Sequence, residues 1–221
     1  MRLLTPLEAR VLGVLVEKQS TVPDTYPLSL NALASGCNQK TAREPVLEAS
    51  DADLLMALDG LKALALVFET SGGRVVRYEH NMARVLRVPS AAVALLATLM
   101  LRGPQTAAQL RLNCERLHRF ADVSSVEGFL DELAGKEQPL AARLARAAGE
   151  REARWAHLLC GEPALPAVAA MAASATGSPA AGPAASVAEF AALEAEQKRL
   201  AARLEALESL VQRLARELGM S

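Results

Sequence analysis

The chain has 221 residues and a mass of 23.4 kDa, with 24 basic against 25 acidic side chains and an isoelectric point near 6.3. That balance excludes a basic nucleic-acid arm or an acidic tail and leaves room for one or two ordinary domains. Half of the residues are hydrophobic, yet 44 are Ala and only seven are aromatic, so the positive mean hydropathy comes from small residues and no membrane partner is expected.

In chain order, the first expected helix is marked by Leu7, Val11, Val14 and Leu15 on one face. Glu8, Arg10 and Glu17 interrupt that segment, so it lacks the apolar core of a signal peptide. The three cysteines make neither a disulfide framework nor a zinc-ligand spacing, and the two observations together predict a cytoplasmic protein. Ser29-x3-Leu33-x3-Cys37 reads as a capped second helix. A long polar connection follows, with Asn38-Gln39-Lys40-Thr41 at its start and Lys40 and Arg43 as a small basic patch. A third helix is expected from Ser50 to Ala65. Val67 to Thr70 and Arg74 to Tyr78 then flank Ser71-Gly72-Gly73, a hairpin signal.

The second part of the chain repeats this plan. A helix marked by Val93, Leu96, Ala97 and Met100 leads into Thr106-x3-Leu110-x3-Cys114, the counterpart of the Ser29 segment. Leu54, Ala57, Leu58, Asp59 and Leu61 match Val126, Phe129, Leu130, Asp131 and Leu133 at a constant offset of 72. Arg77-Tyr78-Glu79-His80 matches Arg154-Trp155-Ala156-His157 at an offset of 77. The second hairpin is expected from Leu140 to Leu144 and Ala153 to Leu159 around Ala148-Gly149-Glu150-Arg151. Three helices followed by a hairpin is the winged helix-turn-helix plan. The expected fold is therefore mainly α with small β-hairpin wings, an α+β chain of two tandem winged-helix domains at 1–85 and 86–161. Units of about 80 residues are small for independent stability, so the two are expected to pack together.

Beyond Glu162 lie 26 residues without charge, rich in Ala, Ser and Gly and interrupted by Pro163, Pro166, Pro179 and Pro183. Residues 162–185 read as a flexible linker rather than a membrane span, because almost no large apolar side chains are present. Ser186 with Glu189 forms a capping box. A heptad then places Phe190, Gln197, Leu204, Val211 and Leu218 at position a, and Leu193, Leu200, Leu207 and Leu214 at position d. Residues 186–219 are expected to form a coiled-coil helix that holds a homodimer, with Gln197 setting register.

Several stretches resemble the bacterial YceH-like proteins, a family of uncharacterised function. They are Leu4-Thr5-Pro6-Leu7-Glu8-Ala9-Arg10-Val11-Leu12, Thr25-Tyr26-Pro27-Leu28-Ser29-Leu30-Asn31, Cys37-Asn38-Gln39-Lys40-Thr41, Arg102-Gly103-Pro104-Gln105-Thr106 and Glu115-Arg116-Leu117-His118-Arg119-Phe120-Ala121. The resemblance covers about residues 3 to 161 and implies tandem winged-helix domains, a cytoplasmic location and a dimer, with no established activity. Glu44-Pro45 departs from it, since the family usually carries Asp before that proline, as does the unusually Ala- and Pro-rich linker.

No constellation for catalysis is legible, so no enzymatic role, cofactor or metal is expected. His80 and His157 hold matching places after the aromatic residue of each wing, which is better explained by a repeated structural role. A zinc site built from Cys114, His118, His157 and Cys160 is disfavoured because residues three apart on a strand face opposite ways. For nucleic acid, both third helices argue against the usual docking: Asp51, Asp53 and Asp59 face one Lys62 in the first, and Glu127, Asp131 and Glu132 face no base in Ser124 to Ala134. Residues 81–160 carry 11 basic and 8 acidic groups. The basic ones fall into Arg111, Arg116 and Arg119 near the second helix and Arg143, Arg146, Arg151 and Arg154 on the wing. These arginines, with Lys40 and Arg43, are either phosphate contacts to double-stranded DNA or solvated charges partly paired with Glu115, Glu150 and Glu152. Two functions follow: a DNA-binding protein of the transcriptional-regulator kind that uses the Arg-rich wing, or a scaffold in which winged-helix and coiled-coil surfaces hold an unknown protein partner.

Overall fold

The computed structural model describes residues 2–70, 75–146, 150 and 152–162. The linker, the heptad residues Phe190 to Leu218, the Ser71-Gly72-Gly73 turn and Arg151 lie outside the described residues.

Helix α1, Pro6–Thr21, starts where Thr5 accepts from the Glu8 N–H while the Glu8 carboxylate takes the Thr5 N–H, with Pro6 in the first turn. A 3-10 turn at Pro23–Thr25 leads into strand β1, Leu28–Ser29. Ser29 caps α2, Leu30–Cys37, through the Ala32 N–H. After a long loop, Ser50 caps α3, Asp51–Ala63, and β2, Val67–Thr70, pairs with β3, Arg77–His80. The short helix α4, Met82–Leu86, contains the boundary expected at residue 85.

The order of elements then recurs: α5, Ser90–Arg102; α6, Ala107–Asn113, capped by Thr106; α7, Val123–Ala134, capped by Asp122; and the antiparallel pair β4, Ala141–Arg143, and β5, Trp155–His157. The described residues thus form a mixed α and β fold of seven helices and small antiparallel sheets. In the first sheet the strand order is β1-β3-β2, with Leu28 opposite Tyr78 and Val67 opposite His80. The third strand was not expected from the sequence, since two residues leave no alternation to detect. Its counterpart in the second series is a single bridge in which Gln105 and Trp155 exchange hydrogen bonds at 3.0 and 2.7 Å.

The two series share one core. Helix α5 is buried along its length from Ala91 to Leu101, and α1 lies against it more extensively than any other pair of helices meets. Small residues permit the approach: a Cβ at Gly13 would sit 3.0 Å from Leu101 Cγ, so a larger side chain would push the helices apart. Leu12, Leu15, Leu95 and Leu96 are fully enclosed there.

The loop from Asn38 to Ser50 fastens the first series to the second. Asn38 holds Ala49 in both directions, Nδ2 to the carbonyl and Ala49 N–H to Oδ1, each at 2.9 Å. Glu44 N–H donates to the Leu101 carbonyl at the end of α5 at 2.8 Å. Arg43 is buried, with its side chain 1% exposed. It donates to Glu17 through Nη1 at 3.1 Å and Nη2 at 2.5 Å, and to the Gly36 carbonyl through Nε. The insertion is a structural strap, which corrects the expectation that Arg43 belongs to an exposed basic patch.

His80 and His157 close β3 and β5 in matching positions, opposite Val67 and Ala141. Burial pushes both imidazoles down to about 4. In the unfolded chain they titrate near 6.5, so the stability from their neutral forms is present above about pH 6.5 and is lost as pH falls towards 4, where the unfolded state binds the extra protons. The denaturation midpoint is expected to drop between about pH 7 and pH 5, with a shallower drop in a His80→Gln, His157→Gln variant. Equal slopes in the two proteins would contradict this assignment.

Candidate nucleic-acid interface

The arginines that the sequence separates into two groups converge on the start of α7. Arg111, half-buried near the end of α6, donates from Nη2 to the Ala121 carbonyl at 3.1 Å and so anchors the turn that leads into α7. Arg119 lies in that turn, 84% exposed, and meets Glu115 at 3.5 Å. Arg111, Leu112, Glu115, Arg119, Phe120 and Ala121 line a cleft of about 480 Å³. Across the first turn of α7, Arg143 and Arg146 share a second cleft of about 260 Å³ with Val123, Glu127, Glu152 and Trp155. Four guanidiniums thus lie on two sides of a helix N-terminus, the end at which backbone N–H groups and the helix dipole favour an anion.

Asp122 caps this helix. Its carboxylate is held below the usual range first by the backbone and side chain of Ser125 and also by nearby Arg111. The carboxylates that share the clefts, Glu115, Glu127 and Glu152, are exposed. An exposed pair such as Arg119–Glu115 contributes only about 0.2–1 kcal/mol, so a phosphate competes for its guanidinium at little cost. Further along α7, Asp131 and Glu132 are exposed and face no base on their own helix. The basic surface is therefore confined to the helix start.

The remaining candidates lie elsewhere. Arg154 is held by Glu150, Nη2 to Oε1 at 2.7 Å, and reaches the Pro104 carbonyl. Arg116 is exposed and lines a separate cleft of about 400 Å³ with Glu17, Lys18 and Arg102 between α1 and α6. Lys40 is exposed on the strap, apart from Arg143 and Arg146.

Helix α3 presents a different surface. Lys62 is occupied by Asp59 at 2.8 Å and Glu69 at 2.9 Å. Leu55 and Met56 are 43% and 68% exposed, beside exposed Asp51 and Asp59. Phe68 on the following strand is 43% exposed. This face offers apolar area edged by acid rather than a ligand for phosphate.

The site also gives the cysteines and His118 ordinary places. Cys37 and Cys114 are fully buried, which pushes their thiols up to about 12 and about 11. Cys114 Sγ lies 3.0 Å from Thr98 Oγ1, and His118 packs edge-on against Phe120. Among the described residues no helix is long and apolar enough to cross a membrane.

An α+β protein of two helix-and-hairpin series, with an arginine-lined helix start in the second, is thus the class the structure defines. The family model described as "Protein of unknown function, DUF480" matches residues 4–150, and the chain belongs to this family, as the YceH-like motifs imply. It is similar to a UPF0502 protein of Leptothrix cholodnii, 66% identical over 218 residues that cover 99% of this chain and 96% of the relative. It is also similar to UPF0502 proteins of Burkholderia vietnamiensis, 63% identical over 222 residues (100% and 91%), and of Cupriavidus necator, 62% over 220 residues (100% and 89%).

Proposed function

We propose that the chain is a non-enzymatic tandem winged-helix protein that binds double-stranded DNA through its second repeat. The order helix, helix, helix, hairpin, present twice with a short strand in the first series and a single bridge in its place in the second, supports the winged-helix reading of residues 1–85 and 86–161. The observation that carries DNA contact is the placement of Arg111 and Arg119 on one side of the α7 N-terminus and Arg143 and Arg146 on the other. A recognition helix meets DNA with its N-terminal residues, and wing and turn arginines hold the flanking phosphates. Asp131 and Glu132 lie further along α7, while Asp122 and Glu127 stand at its start among the arginines, so in this reading the flanking guanidiniums, not the length of the helix, make the phosphate contacts.

The first repeat has another role in this reading. Its α3 face, with Leu55, Met56 and Phe68 exposed beside Asp51 and Asp59, favours a protein partner over phosphate. A homodimer joined through residues 186–219 would place two arginine-lined ends on one duplex and so strengthen binding by effective concentration.

Fluorescence anisotropy of the full chain with a labelled mixed-sequence duplex tests the proposal across a salt series. Binding that weakens steeply as salt rises is expected, because each neutralised phosphate adds about 0.9 to the slope of log affinity against log salt. Absence of binding at low salt would contradict DNA contact and leave the protein-interaction surface as the function.

A further inference from the structure

Two buried arginines hold the strap of the first repeat, and they differ in their counter-charge. Arg43 has Glu17. Arg10, on α1, is 2% exposed and donates to the Cys37 carbonyl at 3.1 Å and the Pro45 carbonyl at 2.6 Å, but among the described residues no carboxylate lies within ion-pair distance of it, and its Nε has no partner. Desolvation of this guanidinium, and repulsion from Arg43, outweigh the through-space attraction of Glu44, which makes no ion pair with it, so its burial is costly.

Arg10 lines a cleft of about 400 Å³ between the two repeats. Met100 from α5 gives it apolar wall, and His157 and Cys160 come from the end of the second hairpin. His157 Nδ1 is also buried and unpartnered. Glu44 is exposed and stands at the edge of the same cleft, without reaching Arg10. Two residues that each carry a buried, unpartnered nitrogen thus line a largely apolar cleft of this size, the make-up of a small-molecule site.

We propose that this cleft binds a small apolar carboxylic acid whose carboxylate neutralises Arg10 and whose hydrocarbon body lies along Met100. The neutral imidazole of His157, held uncharged by burial, is free to donate to the second carboxylate oxygen. A ligand seated there touches both repeats. The site is independent of the DNA-facing end of α7.

Cys160 supplies the readout, since it is half-buried on the cleft while Cys37 and Cys114 are fully enclosed. The full chain is treated with a thiol reagent at pH 7 in the presence of octanoate or octanol, and each additive is also titrated by calorimetry. Octanoate is expected to bind and to slow Cys160 labelling, with octanol weaker by about tenfold or more, as expected for loss of a charged hydrogen-bonded partner. Arg10→Gln should abolish that preference. Because Arg10 also holds the strap, Pro104→Trp at the exposed rim provides a second variant, expected to remove octanoate binding while leaving thermal melting unchanged. Equal binding of octanoate and octanol, or no binding of octanoate, would overturn the proposal.

Discussion

Replacing Arg111, Arg119, Arg143 and Arg146 together by Ala is expected to lower duplex affinity by about three and a half decades at 0.1 M salt. The magnitude follows from counterion release: four lost phosphate contacts at about 0.9 each remove about 3.6 from the salt slope, and at 0.1 M each unit of slope is a decade relative to 1 M. Arg119, Arg143 and Arg146 are exposed, so a triple Ala variant of these should keep the melting temperature of the parent, whereas Arg111 is half-buried and anchors the turn into α7, so adding its replacement should also lower the melting temperature. Arg84→Ala, at an exposed arginine of α4 away from the clefts, serves as a single-charge control and should change affinity little. Anisotropy titrations at several salt concentrations give both affinity and slope. An affinity loss below tenfold with an unchanged slope would remove these arginines from the interface.

Arg43→Ala is expected to cost about 3–5 kcal/mol of folding stability, the usual consequence of removing one partner of a buried ion pair. The substitution strands Glu17 and takes three donors from the strap: the pair with the carboxylate, the bond to Gly36 and the bond to Gln39 at 2.7 Å. Arg43→Lys should recover only part of the loss, since an ammonium cannot reproduce the two-pronged contact with Glu17. Denaturant unfolding measures both. A loss below about 1 kcal/mol would mean that the pair behaves as an exposed one and that the strap is not held from inside.

Much of the architecture was legible because repetition made it so. The matched offsets of Leu54 to Leu61 with Val126 to Leu133 located α3 and α7, and Ser29 and Thr106 cap α2 and α6 as their types suggest. Hairpin strands fell within two or three residues of their observed places. The α7 cap was missed, Asp122 acting in place of a start at Ser124, since both residue types suit the role and only backbone geometry decides.

The site was legible in composition but not in arrangement. Arg111 and Arg143 are more than thirty residues apart, and no spacing rule joins a helix to a wing across that distance. Arg43 was misread because an Arg in a polar connecting segment looks exposed. Its burial depends on Glu17, which lies a helix and a loop earlier. Arg10 was read only as a charge that breaks a signal sequence, and its lack of a carboxylate partner is visible only once the strap is folded over α1.

The most direct test of the central claim is hydrogen exchange of the full chain with and without a mixed-sequence duplex at low salt. The account predicts slowed exchange in residues 107–127 and 141–146, the α6 to α7 segment and the second wing, with α3 at 51–63 unchanged. Slowed exchange confined to α3 and β2, or no change anywhere, would contradict it.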